Sequence, residues 1–251
     1  MIALVHAPSP NMHAGERSFV EHQAIDHALA ARQHVGYCQA LAAGGWNVRT
    51  LTHHMELADA VFIEDTAVVL DEVAILASMG AASRRAEPAA MEPVLRLWRE
   101  IRRIEPPGLL EGGDVLRIGR ELLIGLSRRT NAAGTEQFRR IVEPFGYRAT
   151  VIEVAGCVHL KTALCALPDG KLLVDPRCIA SRFLQAYECI FIPPSEPFAA
   201  NLLLSGEIVI LPAEHVETIE RLGRHYRLRP VAISEFAKAE GGVTCLSVLI
   251  A

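Results

Sequence analysis

The stretch EGGDVLRIGRELLIGL (residues 111–126) begins with an acid and two glycines, then sets two apolar runs around a short turn at Gly119-Arg120. That outline is a polar head, a strand, a tight turn and a second strand. The same outline recurs along the chain. It appears as Glu64-Asp65 before TAVVLDEVAIL, His159 before LKTALCALPDGKLLVD, Asn201 before LLLSGEIVILP, and Cys245 before LSVLI at the C-terminus. Asp169-Gly170 and Ser205-Gly206 supply ordinary hairpin turn chemistry. The fifth copy has one strand only, and the N-terminal MIALV is a suitable second one.

From Asp65 onward the heads fall 46, 48, 42 and 44 residues apart. Between them lie segments with helical spacing. Ile25, Leu29, Cys38 and Leu41 mark one, and Val94, Leu95, Trp98 and Ile101 a second. Phe138, Ile141, Val142 and Phe145 follow Asn131, a good N-cap. Val216, Ile219 and Leu222 mark a weaker one, and the segment from Ile179 to Tyr187 is short. Strand pairs alternating with helices at a period of ~40–50 residues predict a radial array of repeated units. Residues 1–251 are therefore read as one domain. The expected fold class is α/β, a five-bladed propeller of ββαβ-type repeats with pseudo-fivefold symmetry.

Composition narrows the function. The chain has 251 residues, 51% of them apolar, and a formal charge of −4. That charge, with no run of Lys or Arg, offers no electrostatic footprint for nucleic acid or a membrane surface. No segment reaches the ~20 apolar residues of a membrane span, and MIALVHAP lacks the basic flank of a signal peptide. A cytoplasmic protein is expected, with its six cysteines reduced. Neither HExxH nor a pair of CxxC motifs occurs, and His53-His54 with Glu56 reads as a solvated turn rather than a metal cluster. No phosphate-cradling glycine motif is present. Neither a metal nor an organic cofactor is expected.

The chemistry sits at the heads. If equivalent positions face a common axis, Glu64, Asp65, Glu111, His159 and Cys245 converge on one small volume. Cys245, after Gly241-Gly242-Val243-Thr244, is the candidate nucleophile, because nearby positive charge favours a thiolate. His159 is the candidate acid/base and Glu111 its carboxylate partner. Glu64-Asp65, with Asp59 just upstream, make a site suited to a planar cation such as guanidinium. Arg84-Arg85 and Arg128-Arg129 could take the carboxylate of an amino acid.

Seven stretches carry a family resemblance. They are AVFIEDTAVV (60–69), GAASRRAE (80–87), EGGDVLRIG (111–119), GLSRRTNAAG (125–134), VHLKTALC (158–165), AANLLL (199–204) and GGVTCLSVLI (241–250). In order and spacing they resemble the dimethylarginine dimethylaminohydrolases, from about residue 58 to the C-terminus. These belong to the guanidino-group-modifying superfamily of five-bladed propellers (penteins), with arginine deiminases and amidinotransferases. The resemblance implies hydrolysis of methylated arginine to citrulline through a covalent intermediate, without metal or cofactor. It implies Cys245 as nucleophile, His159 as acid/base and Glu111 as its partner. Glu64 and Asp65 would hold the substrate cation, Asp59 would recognise the guanidinium or α-amino end, and Arg84 and Arg129 would grip the α-carboxylate. The stretch APSPNMHAGERSFVEHQAIDH departs from the pattern where the family has a lid, which leaves the choice of guanidino substrate open.

The alternatives are a deiminase or amidinotransferase of the same fold, and an inactive propeller serving as a binding module. A thiol, an imidazole and carboxylates at matching heads argue against the last. The sequence leaves oligomeric state open, a homodimer included.

Overall fold

A computed structural model describes residues 1–251. In chain order its strands are β1 (Ile2–His6), β2 (Asn47–Leu51), β3 (Ala67–Val69), β4 (Val73–Leu76) and β5 (Glu100–Arg103). They continue with β6 (Val115–Ile118), β7 (Glu121–Leu126), β8 (Arg148–Glu153), β9 (Leu164–Ala166) and β10 (Leu172–Val174). β11 (Cys189–Phe191), β12 (Leu203–Ser205), β13 (Ile208–Pro212), β14 (Arg227–Val231) and β15 (Val248–Ile250) complete them. The longer helices are α1 (His27–Ala43), α2 (Glu87–Leu95) and α3 (Ala132–Val142). Shorter ones are α4 (Leu160–Ala163), α5 (Val216–Leu222) and α6 (Ser234–Ala237).

The fifteen strands form five separate three-stranded sheets. In each, an antiparallel pair is extended by a third strand parallel to the middle one: β3-β4-β5, β6-β7-β8, β9-β10-β11 and β12-β13-β14. The fifth sheet is assembled from both ends of the chain. β15 pairs antiparallel with β1, Ile2 opposite Ile250, and β2 runs parallel to β1. MIALV thus completes the last unit as expected.

Side-chain alternation explains why the middle strands read as unbroken apolar runs. On β4, Val73 and Ile75 enter a cluster shared with Val115, Leu122 and Ile124 of the next sheet. Ala74 and Leu76 point the other way, into a cluster with Ile2, Leu4, Val248 and Ile250 of the terminal sheet. β7 divides likewise, Leu123 turning to Leu164, Leu172 and Val174. β10 sends Leu173 to Val209 and Leu211 of β13, whose Ile210 joins Ala3 and Val5 of β1. Each middle strand is buried on both faces, so period-two alternation separates two cores rather than core from solvent.

α1, α2, α3 and α5 each connect a middle strand to the third strand of its sheet. Asn131 caps α3 as expected, its side chain accepting the Gly134 N–H, and Phe138 and Val142 are buried beneath. The second helix differs from its predicted span. α2 ends at Leu95 and buries Met91 and Leu95, while Trp98 lies in the turn beyond it and Ile101 belongs to β5. Ile101 is flanked by Glu100 and Arg102 in a strand pattern, and its match to helical spacing was coincidental. The 179–187 segment holds only a 3₁₀ turn, Ser181–Phe183. No helix is long and apolar enough to cross a membrane.

Candidate active site

Short helical turns at the hairpin heads aim the polar residues inward. Ile63–Thr66, Gly112–Asp114, Leu160–Ala163 and Thr244–Leu246 each immediately precede a strand or lie one residue from it. The first packs against the second and the fourth, and the second against the third. Glycine makes the approach feasible. A Cβ on Gly113 would stand 2.6 Å from both His159 Nδ1 and Asp65 Oδ1, and one on Gly112 2.1 Å from the Glu64 carbonyl.

All eight predicted site residues are buried. His159 Nε2 donates to Glu111 Oε2 at 2.7 Å, while Nδ1 lies 3.6 Å from Asp65 Oδ1. The second Glu111 oxygen accepts the Gly80 N–H at 2.8 Å. Burial alone would depress the imidazole pKa, but Asp65, Asp114 and Glu111 outweigh it and lift His159 to about 9. The ring is thus an imidazolium at neutral pH. Cys245 shifts in the same direction for different reasons. Burial, then the negative fields of Glu64 and Asp65, push its thiol up to about 12, and the Gly242 N–H at 3.4 Å compensates only in part. Asp65 therefore acts on both groups, stabilising the imidazolium and opposing the thiolate.

The two arginine pairs split. Arg84 and Arg129 point inward, whereas Arg85 and Arg128 are exposed, Arg128 lying over the Phe19 ring. Arg84 is heavily committed. It donates to Asp65 Oδ2 at 2.7 Å, to the Phe62 carbonyl at 2.9 Å and to Glu87 through Nε and Nη2. Arg129 is not: its Nη1 is buried, forms no hydrogen bond and lies 3.6 Å from Glu111 Oε1. Glu64 shows the complementary condition. Oε1 accepts Lys161 Nζ at 2.6 Å, while Oε2 is buried with no partner. Asp59 accepts the Glu16 N–H at 3.0 Å, which ties it to the divergent N-terminal stretch.

That stretch is held by a second carboxylate. Glu240 Oε1 accepts the consecutive N–H groups of Ser18, Phe19 and Val20. Glu87, Lys161, Asp114 and Glu240 were all missed as contributors. Lys161 and Asp114 stand inside quoted motifs, HLKT and EGGD, and Glu240 directly precedes Gly241-Gly242; those neighbourhoods were the available signal. Glu87 likewise closes the quoted stretch GAASRRAE, three residues after Arg84.

Asp65, Glu111 and His159 bring ligand atoms within 4.8 Å of one another, a spacing that could hold a metal ion. Arg84 already balances Asp65, and a protonated His159 has no lone pair to offer, so a cation there would have to displace a proton. The buried acids Asp59, Glu64, Asp65, Glu87, Glu111 and Asp114 outnumber Arg84, Arg129, His159 and Lys161. A site with that excess favours a cationic ligand over an anionic one.

A family profile described as arginine deiminase matches residues 30–190. The chain is 41% identical to N(G),N(G)-dimethylarginine dimethylaminohydrolase of Streptomyces coelicolor, across 98% of this chain and 95% of that one. The same enzyme of Pseudomonas aeruginosa is 35% identical across 89% of each. A solved structure of a Pseudomonas aeruginosa mutant of that enzyme complexed with citrulline superposes with a TM-score of 0.94. It is 33% identical and covers 98% of this chain and 97% of that one.

Proposed function

The chain belongs to the arginine deiminase family and, within it, to the dimethylarginine dimethylaminohydrolases; on that premise we propose that it hydrolyses Nω-methylated arginine to citrulline and dimethylamine or methylamine. The observation that carries the reading is the pair of unsatisfied buried atoms. Arg129 Nη1 needs an acceptor and Glu64 Oε2 needs a donor. A zwitterionic guanidino acid supplies both, its α-carboxylate to Arg129 and its guanidinium to Glu64, and leaving such groups unpaired is costly.

The mechanism follows from the charges. The bound guanidinium lowers the cost of a thiolate beside it, so substrate binding deprotonates Cys245, the proton passing to solvent. Asp65 and Glu64 hold the cation against the sulfur and Asp59 assists, which supplies orientation and charge stabilisation. Sγ attacks the guanidinium carbon. The His159 imidazolium gives its proton to the methylated nitrogen, the C–N bond breaks, and the amine departs. The S-alkylthiouronium cation remains on Cys245. His159, now neutral, takes a proton from water as that water attacks the same carbon. Collapse expels the sulfur, which takes up the hydroxyl proton and returns to the thiol, and leaves the ureido group of citrulline. Glu111 fixes the ring through both steps, and Arg84, bound mainly to Asp65 and Glu87, positions Asp65 and presents its one uncommitted Nη1 hydrogen to the carboxylate.

The five sheets are read as five blades of one propeller domain spanning 1–251. Support comes from the cores, which join each sheet to the next and the terminal sheet to the first. The expected setting is cytoplasmic. Release of the ureido product, citrulline from dimethylarginine, monomethylarginine and arginine and N-carbamoylputrescine from agmatine, tests the substrate class. Turnover of methylated arginines is expected. Turnover of arginine alone would make the protein a deiminase, and turnover of agmatine would remove the carboxylate role of Arg129.

A further inference from the structure

Three buried carboxylates surround His159, and the reaction described above uses only two of them. The third, Asp114, has no solvent exposure and lies in EGGD, three residues after Glu111. Its two oxygens face different parts of the site. Oδ1 accepts the backbone N–H of Leu160, the residue after His159, at 2.8 Å. Oδ2 accepts the Ser127 hydroxyl at 2.6 Å. Ser127 Oγ in turn accepts the backbone N–H groups of Arg129 at 3.0 Å and Thr130 at 3.2 Å. The Thr130 hydroxyl accepts the N–H of Glu111 at 3.2 Å, which closes the network on the residue that orients His159.

We propose that Asp114 is a positioning residue that fixes the acid/base His159 and the carboxylate-binding Arg129 relative to each other, through Leu160 on one side and Ser127 on the other. The proposal rests on the roles assigned to those two residues in the reaction above. One rigid carboxylate then sets the distance between the two ends of the substrate site. Close packing holds it there, since a Cβ on Gly125 would come within 2.5 Å of Asp114 Oδ1. Burial pushes the Asp114 carboxyl above the ordinary carboxylate range, while the nearby His159 imidazolium and the hydrogen bonds from Ser127 and Leu160 work against that shift and favour its charge. With Asp65 and Glu111 it favours the imidazolium, against the burial that opposes it. The cations Arg84 and Arg129 both bear on Asp65.

Asp114→Asn keeps the size and one acceptor oxygen but removes the charge. NMR titration of the His159 ring should show its pKa lowered by about one unit or more. The alkaline limb of kcat/KM for dimethylarginine should move down with it. Ser127→Ala keeps the charge and cuts the Arg129 arm, so KM should rise several-fold with kcat and the His159 titration little changed. An unchanged His159 titration in Asp114→Asn, with activity lost, would reduce Asp114 to a packing role and overturn the proposal. An unchanged KM in Ser127→Ala would remove the link to Arg129. If Asp114→Asn does not fold, Ser127→Ala decides alone on that KM. The titration needs no substrate. Wild-type protein that turned over no guanidino acid would sink the proposed reaction and leave the Asp114 result readable.

Discussion

For the proposed reaction, Cys245 rests in the wrong protonation state for its first step and His159 in the right one. Burial and two carboxylates hold the thiol up at about 12, while three carboxylates hold the imidazole at about 9. Free protein at neutral pH should therefore show no ultraviolet thiolate band from Cys245, and an unreactive guanidinium or amidinium ligand should bring one out. A band already present without ligand would remove substrate-assisted activation. The same shift has a stability consequence with a definite sign. The ordinary histidine value is 6.5, so the folded state binds a proton at His159 more tightly than the unfolded chain. That stabilisation is complete below about 6.5 and is lost as pH rises through about 9. Denaturation curves should show His159→Gln less stable than wild type below ~6.5, with the gap shrinking between ~6.5 and ~9 and closed above ~9. Gly113→Ala would drive a methyl group into both His159 and Asp65. Displacement of this order costs roughly 10²-fold in rate, to be read in kcat with the circular dichroism spectrum retained.

Asn131 shows what a local signal can and cannot say about an element. As an N-cap before an apolar period it marked the start of α3, and its side chain does accept the Gly134 N–H. The same oxygen also accepts the Leu109 N–H and Nδ2 donates to the Pro107 carbonyl, tying α3 to the segment leading into Glu111. Those partners, in the non-strand segment between β5 and Glu111, lie 22 and 24 residues away and left no trace in the local pattern. Asn131→Ala should therefore cost at the upper end of the about 0.5–2 kcal/mol typical of a lost cap, measured by urea denaturation. A loss of only a few tenths would mean the tertiary bonds contribute nothing. The helix placed over Val94–Ile101 failed for a related reason. Residues spaced for a helix can equally be the end of one element and the inward face of the next, as Leu95 and Ile101 are not distinguished by period alone in so short a window.

Across the molecule, the repeat was legible because each unit has the same burial problem. A middle strand covered on both faces must be apolar throughout, and the residue before each hairpin must be polar if it faces a shared site. Those two demands wrote the spacing of Asp65, Glu111, His159, Asn201 and Cys245 into the chain. The pairings that hold the site were not legible, because Lys161 with Glu64 and Glu240 with residues 18–20 join positions that only the fold brings together. The pairing of Ile2 with Ile250 puts both termini in one sheet. A circular permutant that links them and opens the exposed Asp169-Gly170 turn should fold and keep its turnover. A permutant that folded without activity, or failed to fold, would argue that the chain ends do more than complete a repeat.

The most direct test of the central claim is mass spectrometry of the intact protein after acid quench during turnover of dimethylarginine. The account predicts a covalent adduct with the mass of the substrate less dimethylamine, mapped to the Cys245 peptide. Cys245→Ser should abolish both citrulline release and the thiouronium adduct. Citrulline formation that persists in Cys245→Ser, or an adduct on another residue, would contradict it.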